Sequence, residues 1–113
     1  MELKTPKVIE KPWGREVWLA VSDKYAGKII EINRGERTSL QYHKVKHETI
    51  YLRDGLLRIE LEDKKQVTLS PGDAIILEPG DIHRLEALED VRIIEISTPE
   101  LDDVVRIEDD YGR

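Results

Sequence analysis

The sequence predicts an all-β fold, a closed barrel or a two-sheet jelly roll, on three observations. Turn signals recur at short intervals, at Gly27, Gly35, Asp54-Gly55, Pro71-Gly72 and Pro79-Gly80. The stretches between them are short and rich in Ile, Leu and Val. Before Pro99 no segment of about 11 residues or more carries a helical period. Short strands bounded by Gly and Pro are the pattern of a sandwich or barrel, and closing the sheet removes exposed edges.

The strands follow in order. Residues 28–32 alternate, with Lys28, Ile30 and Ile32 sharing a face assigned to the interior. Residues 38–43 and 48–52 are the next two strands. Residues 56–61 place Leu57, Ile59 and Leu61 on one face, with Arg58, Glu60 and Glu62 on the other. Residues 67–69, 74–77, 83–85 and 91–96 continue the series. Asp54-Gly55 is expected to close a hairpin. Pro71-Gly72 and Pro79-Gly80 are expected to fix two further turns, because Pro presets φ and Gly accepts the positive φ that follows. The end of the chain is expected to hold a short helical turn.

With 113 residues, the chain is expected to form one domain, residues 1–113. Its 18 basic and 24 acidic residues give a net charge of −6, which argues against a nucleic-acid surface. No apolar run reaches the roughly 18 residues of a membrane span, and the first residues lack the apolar core of a signal peptide. The cytoplasm is therefore the expected compartment. The absence of cysteine excludes disulfides, a thiolate metal site and a cysteine nucleophile. Aromatics make up 5% of the chain and Phe is absent, so the core must come from Ile, Leu and Val. A core this modest leads us to expect help from a second subunit, as a homodimer, or from a bound metal. Residues 99–113 are the acidic segment: six acidic residues face Arg106 and Arg113, which accounts for −4 of the −6.

All three histidines fall where chemistry is expected. Gln41 and His43 are two apart on a predicted strand, so they share a face. Glu48 opens the next strand after a short connection, and His83 follows the Pro79-Gly80 turn. Two imidazoles, a carboxylate and an amide oxygen suit one divalent metal ion: zinc first, with Mn, Fe, Ni or Co as alternatives. Open positions beside such ligands admit a substrate oxygen. His47 is one residue out of step with Glu48 and is expected beside the ligands or on the surface.

The sequence also resembles the cupins. The run from Gly35 to Ser39-Leu40-Gln41-Tyr42-His43, followed by Glu48 and Gly55, resembles the first cupin motif. Gly72 and Pro79-Gly80-Asp81-Ile82-His83-Arg84 resemble the second. Pro12-Trp13-Gly14 and the ending from Val105-Arg106 to Tyr111-Gly112-Arg113 extend the resemblance to the cupin domain of type II mannose-6-phosphate isomerases, often fused to mannose-1-phosphate guanylyltransferases. The implied fold is a single cupin-type double-stranded β-helix, a jelly-roll barrel. The usual second histidine of the first motif is replaced by Val45, which cannot bind a metal. Gln41, His43, Glu48 and His83 are instead similar to the set that holds zinc in the unfused isomerases of the superfamily.

The activity so implied is aldose–ketose isomerisation of a small-molecule sugar phosphate, such as mannose 6-phosphate to fructose 6-phosphate. A metal would act as Lewis acid and a base would move the proton. Lys28 is the first candidate base, since desolvation lowers the pKa of a buried lysine; Glu95 and His47 follow. Arg106 is the candidate for the phosphate if residues 99–113 dock at the barrel mouth, since arginine presents a planar fork to phosphate oxygens. Arg84, Lys44 and Lys46 are alternatives, each more often plain surface charge. Trp13 is expected to pack on the barrel and Tyr42 to face away from the metal. The competing readings are a non-catalytic metal- and sugar-binding cupin and an iron dioxygenase. The Gln-x-His pattern favours the isomerase over the dioxygenase.

Overall fold

A computed structural model describes residues 1–113. It contains β1 (Lys7–Lys11), β2 (Gly14–Val21), β3 (Ala26–Ile32), β4 (Leu40–Tyr42), β5 (Glu48–Asp54) and β6 (Leu57–Leu61). A single 3-10 turn at Glu62–Lys64 leads to β7 (Gln66–Leu69), β8 (Ala74–Leu77), β9 (His83–Ala87), β10 (Val91–Ser97) and β11 (Val105–Glu108). The strands form two antiparallel sheets, ordered β1-β2-β3-β10-β5-β8 and β11-β4-β9-β6-β7. From β3 onward the chain changes sheet at every connection except β6 to β7. This is the jelly-roll, double-stranded β-helix arrangement that the alternating stretches predict. No helix is long and apolar enough to cross a membrane.

Two expectations need correction. Asp54-Gly55 does not close a hairpin: it carries the chain from β5 in one sheet to β6 in the other. Glycine is required there twice over, because φ is +94° and a Cβ would lie 2.2 Å from the Asp90 carbonyl oxygen. The end of the chain holds no helical turn at 105–108 but a strand, β11, paired with β4. The first two strands, β1 and β2, were not anticipated; they form a hairpin around Pro12-Trp13 at the edge of the larger sheet.

Inward-facing residues follow one pattern on four strands. β3 presents Lys28, Ile30 and Ile32; β5 presents Glu48, Ile50 and Leu52; β9 presents His83, Leu85 and Ala87. β10 runs the other way and presents Glu95, Ile93 and Val91. All twelve are buried. The register places Lys28 opposite Glu95, Ile30 opposite Ile93 and Ile32 opposite Val91. In the second sheet, Leu61, Ile59 and Leu57 lie opposite His83, Leu85 and Ala87. The barrel therefore has an apolar end and an ionisable end. Leu69, opposite Leu57, adds to the apolar end, while Trp13 and Leu77, the latter opposite Glu48, join the same core cluster.

Candidate metal centre and its cavity

The ionisable end opens into a cavity of about 330 Å³. His43 lies just beyond β4, Glu48 starts β5 and His83 starts β9, so three separate stretches deliver one ligand atom each. These atoms lie within 4.8 Å of one another. Glu48 Oε1 is 3.5 Å from His43 Nε2 and 3.4 Å from His83 Nε2, and the two rings are 5.2 Å apart. The Nδ1 atoms face backbone carbonyls: His83 at 2.8 Å from Asp81 O, His43 at 2.5 Å from Asp103 O. Each ring thus donates through Nδ1 and turns Nε2 toward Glu48, the side on which a neutral imidazole would take a metal. His43 Nε2 is buried without a hydrogen-bond partner. A buried, unpaired ring nitrogen is costly, and a cation between these three groups would satisfy it. Two imidazoles and a carboxylate also match the chemistry of a catalytic divalent site with open positions. The residues therefore fit a divalent metal.

Gln41 lines the same cavity and lies directly opposite both Arg106 on β11 and His83 on β9. Its Oε1 accepts a 2.6 Å hydrogen bond from the buried Ser39 hydroxyl.

Behind the three ligands runs a chain of buried charges. Lys46 Nζ is 2.9 Å from Glu48 Oε2 and 3.2 Å from Glu95 Oε2. Lys28 Nζ is 3.9 Å from Glu95 and 3.1 Å from Glu16, which also accepts from the Trp18 indole at 2.9 Å. Burial works to raise the Glu48 carboxyl, but the two imidazoles and the Lys46 ammonium outweigh it and hold the group well below the usual carboxylate range. Glu95 moves the opposite way: burial and the Glu48 charge push it up, against the pull of Lys28 and Lys46. Burial works to lower Lys46, but the Glu95 and Glu48 carboxylates prevail and raise it. For Glu16, burial is outweighed by Lys28 and the Trp18 indole, and the carboxyl is lowered. Neighbouring carboxylates pushed in opposite directions are a common feature of acid–base sites.

Lys28 and Glu95 thus sit together beside the three ligands, on the inward faces of β3 and β10. Arg106 is exposed and lines the cavity, together with Leu101, Val104 and Arg113 from the same C-terminal segment. Arg84 does not line it: the buried guanidinium donates to Thr38 O at 3.0 Å and Glu108 O at 3.2 Å, so it fastens the C-terminal segment. His47 and Lys44 are exposed. Lys46 is corrected outright from surface charge to the buried centre of the charge chain. Its spacing of two from Glu48 puts both on one side of the chain, a signal the sequence did carry. Glu16, Trp18, Lys11 and Arg113 also line the cavity and were not anticipated. Trp13 is both packed in the core and part of the wall.

The chain is similar to known proteins over almost its whole length. Residues 1–109 match the family described as mannose-6-phosphate isomerase, C-terminal. Mannose-1-phosphate guanylyltransferase ManC of Salmonella typhimurium is 30% identical over 110 residues, covering 93% of this chain and 23% of that protein. A mannose-1-phosphate guanylyltransferase of Escherichia coli K12 is 28% identical over 117 residues, covering 99% of this chain and 24% of that protein. The chain thus spans about a quarter of the length of these relatives. Among solved structures, KdgF from a Halomonas species aligns with a TM-score of 0.77 at 24% identity, over 85% of this chain and 88% of that one. An RmlC-like cupin from Shewanella frigidimarina aligns with a TM-score of 0.76 at 14% identity, over 86% of each chain. At these identities the two structures speak for the fold alone. With its match running from the first residue to Asp109, the chain belongs to the mannose-6-phosphate isomerase C-terminal family, on a cupin double-stranded β-helix.

Proposed function

We propose that the chain is a metal-dependent sugar-phosphate isomerase that interconverts mannose 6-phosphate and fructose 6-phosphate. The observation that carries this reading is the cluster of His43, Glu48 and His83 directly beside the buried Lys28–Glu95–Lys46 group, in one cavity. The reaction breaks the C2–H bond. Its electron pair forms a C1–C2 double bond while the C1 oxygen takes up charge and a proton. A proton then adds to C1, and loss of the O2 proton leaves the ketone. A divalent ion held by His43, Glu48 and His83, with Gln41 beside them, would supply a Lewis acid for the C1 and C2 oxygens.

The remaining work falls to side chains. Glu95 is the group we assign to the migrating proton: its carboxyl is buried and flanked by two ammonium groups that can hold it in place. Lys28 is the alternative carrier and, with Lys46, the positioning partner. Arg106 and Arg113 at the cavity wall are the cations for the phosphate, despite the chain's net charge of −6. Trp13, Trp18 and Ile30 make the wall partly apolar, which excludes water from the proton transfer.

The second reading, a non-catalytic metal- and sugar-binding module, is supported by the names of the similar proteins, which are for guanylyl transfer and not for isomerisation. Metal analysis of the purified protein, followed by a coupled assay for fructose 6-phosphate, separates the two. We expect bound divalent metal and turnover, both lost in His83→Ala. Bound metal with no turnover of mannose 6-phosphate would leave the binding module.

A further inference from the structure

The two imidazoles of the centre are held in different ways. His83 takes its Nδ1 partner from Asp81, two residues earlier in the chain. His43 takes its partner from Asp103, which is 60 residues later and lies in the C-terminal segment. The same residue acts a second time. The Asp103 carboxylate accepts the backbone N–H of Lys44 through Oδ1 at 3.0 Å, and those of Val45 and Lys46 through Oδ2 at 2.7 and 2.9 Å. These three residues belong to the connection between His43 and Glu48. Asp103 therefore grips the turn that joins two of the three ligands, and the same turn sets Lys46 2.9 Å from Glu48.

From this geometry we infer that Asp103 is a positioning residue of the metal centre, and that the C-terminal segment acts as its lock. The inference rests on the metal site proposed above, but not on isomerase activity. Without the carboxylate, three N–H groups lose their acceptor, the carbonyl is no longer pinned to His43, and the His43 ring is free to turn. Other attachments of the segment lie elsewhere: Arg37 grips Asp110 through two hydrogen bonds of 2.6 and 2.9 Å, and Tyr111 donates to Glu36. Those hold the segment without touching a ligand.

The test is zinc binding by calorimetry on the full chain, with folding checked by far-ultraviolet circular dichroism. Asp103→Ala is expected to weaken zinc binding between about tenfold and a hundredfold, the usual cost of losing a group that orients a ligand. Asp103→Asn, which keeps one acceptor oxygen, is expected to fall between Ala and wild type. Arg37→Ala is expected to stay within about threefold of wild type, since it loosens the segment away from His43. Equal zinc binding by Asp103→Ala and wild type would overturn the inference alone, as would an equal loss in Arg37→Ala. No zinc binding by the wild-type chain would overturn the metal site with it. Should Asp103→Ala fail to fold, nitrogen NMR of the wild-type protein decides: a His43 ring protonated at Nδ1, with a slowly exchanging proton, supports the lock, and the other tautomer removes it.

Discussion

The two ends of the barrel are built on the same strands and obey opposite rules. At one end Ile32, Leu52, Ala87 and Val91 fill the space between the sheets, with Leu57, Ile59 and Ile93 fully shielded from solvent. At the other end the same inward positions carry Lys28, Glu48, His83 and Glu95. The apolar end stabilises through area removed from water. The ionisable end buries charges whose desolvation offsets most of their mutual attraction. A stretch of two residues along each strand separates a core from a reactive site. One half of the molecule holds the fold so that the other can hold groups that would not choose to be there.

The largest expected effect cuts into the charge chain. Lys46→Met leaves Glu48 and Glu95 buried without their shared cation, and should cost about 3–5 kcal/mol in urea denaturation of the metal-free protein. Adding Glu95→Leu should recover most of that loss while leaving no isomerase activity. A double variant as unstable as the single one would mean that the ionisable end contributes to stability after all, and the contrast between the ends would fail. Next comes the apolar end. Ile59→Ala, at a fully buried position, should cost about 2–5 kcal/mol with zinc affinity unchanged in the folded protein. A parallel fall in zinc affinity would show that the two ends are not separable.

The smallest effect concerns the segment that closes the ionisable end. Burial, with a 2.5 Å hydrogen bond to Glu36, pushes the Tyr111 phenol up to about 12. Because the folded value lies above the ordinary 10.0, the unfolded chain gives up its proton first. The stabilisation from this contact is complete below pH 10 and is lost as pH rises through about 12. Phenolate absorbance should therefore show one of the four tyrosines titrating late, and limited proteolysis should begin to cut the C-terminal segment in the same range. Four tyrosines titrating together would show that this contact is absent in solution.

Much of this was legible in the chain. The alternation of Lys28, Ile30 and Ile32 gave the correct interior face, since period two survives whatever the partner strand is. The ligand candidates could be named because their parity and the turns before Glu48 and His83 are local features. What could not be read is which sheet a strand joins. Asp54-Gly55 demands positive φ in a hairpin and in a crossing alike, so a turn signal gives the bend without its destination. Lys46 was misjudged because the burial of a lysine depends on two carboxylates, one of them 49 positions away on β10. β11 was missed because four residues paired at a sheet edge, most of them exposed, carry little period of their own.

The shuttling of the chain between the two sheets also sets an order of assembly. β3 pairs with β10 and β4 with β9 and β11, so most ladders must close a long loop before they gain anything. Such topologies fold slowly, on the scale of milliseconds to seconds. Asp103 and Arg106 come after every ladder partner on the growing polypeptide except those of β11 itself. The last strand of the core, β10, ends six residues before Asp103, so His43 acquires its distant carbonyl only after every core strand has been made. A chain cut short of Asp103 would therefore carry every strand of the core without the carbonyl that fixes the His43 ring.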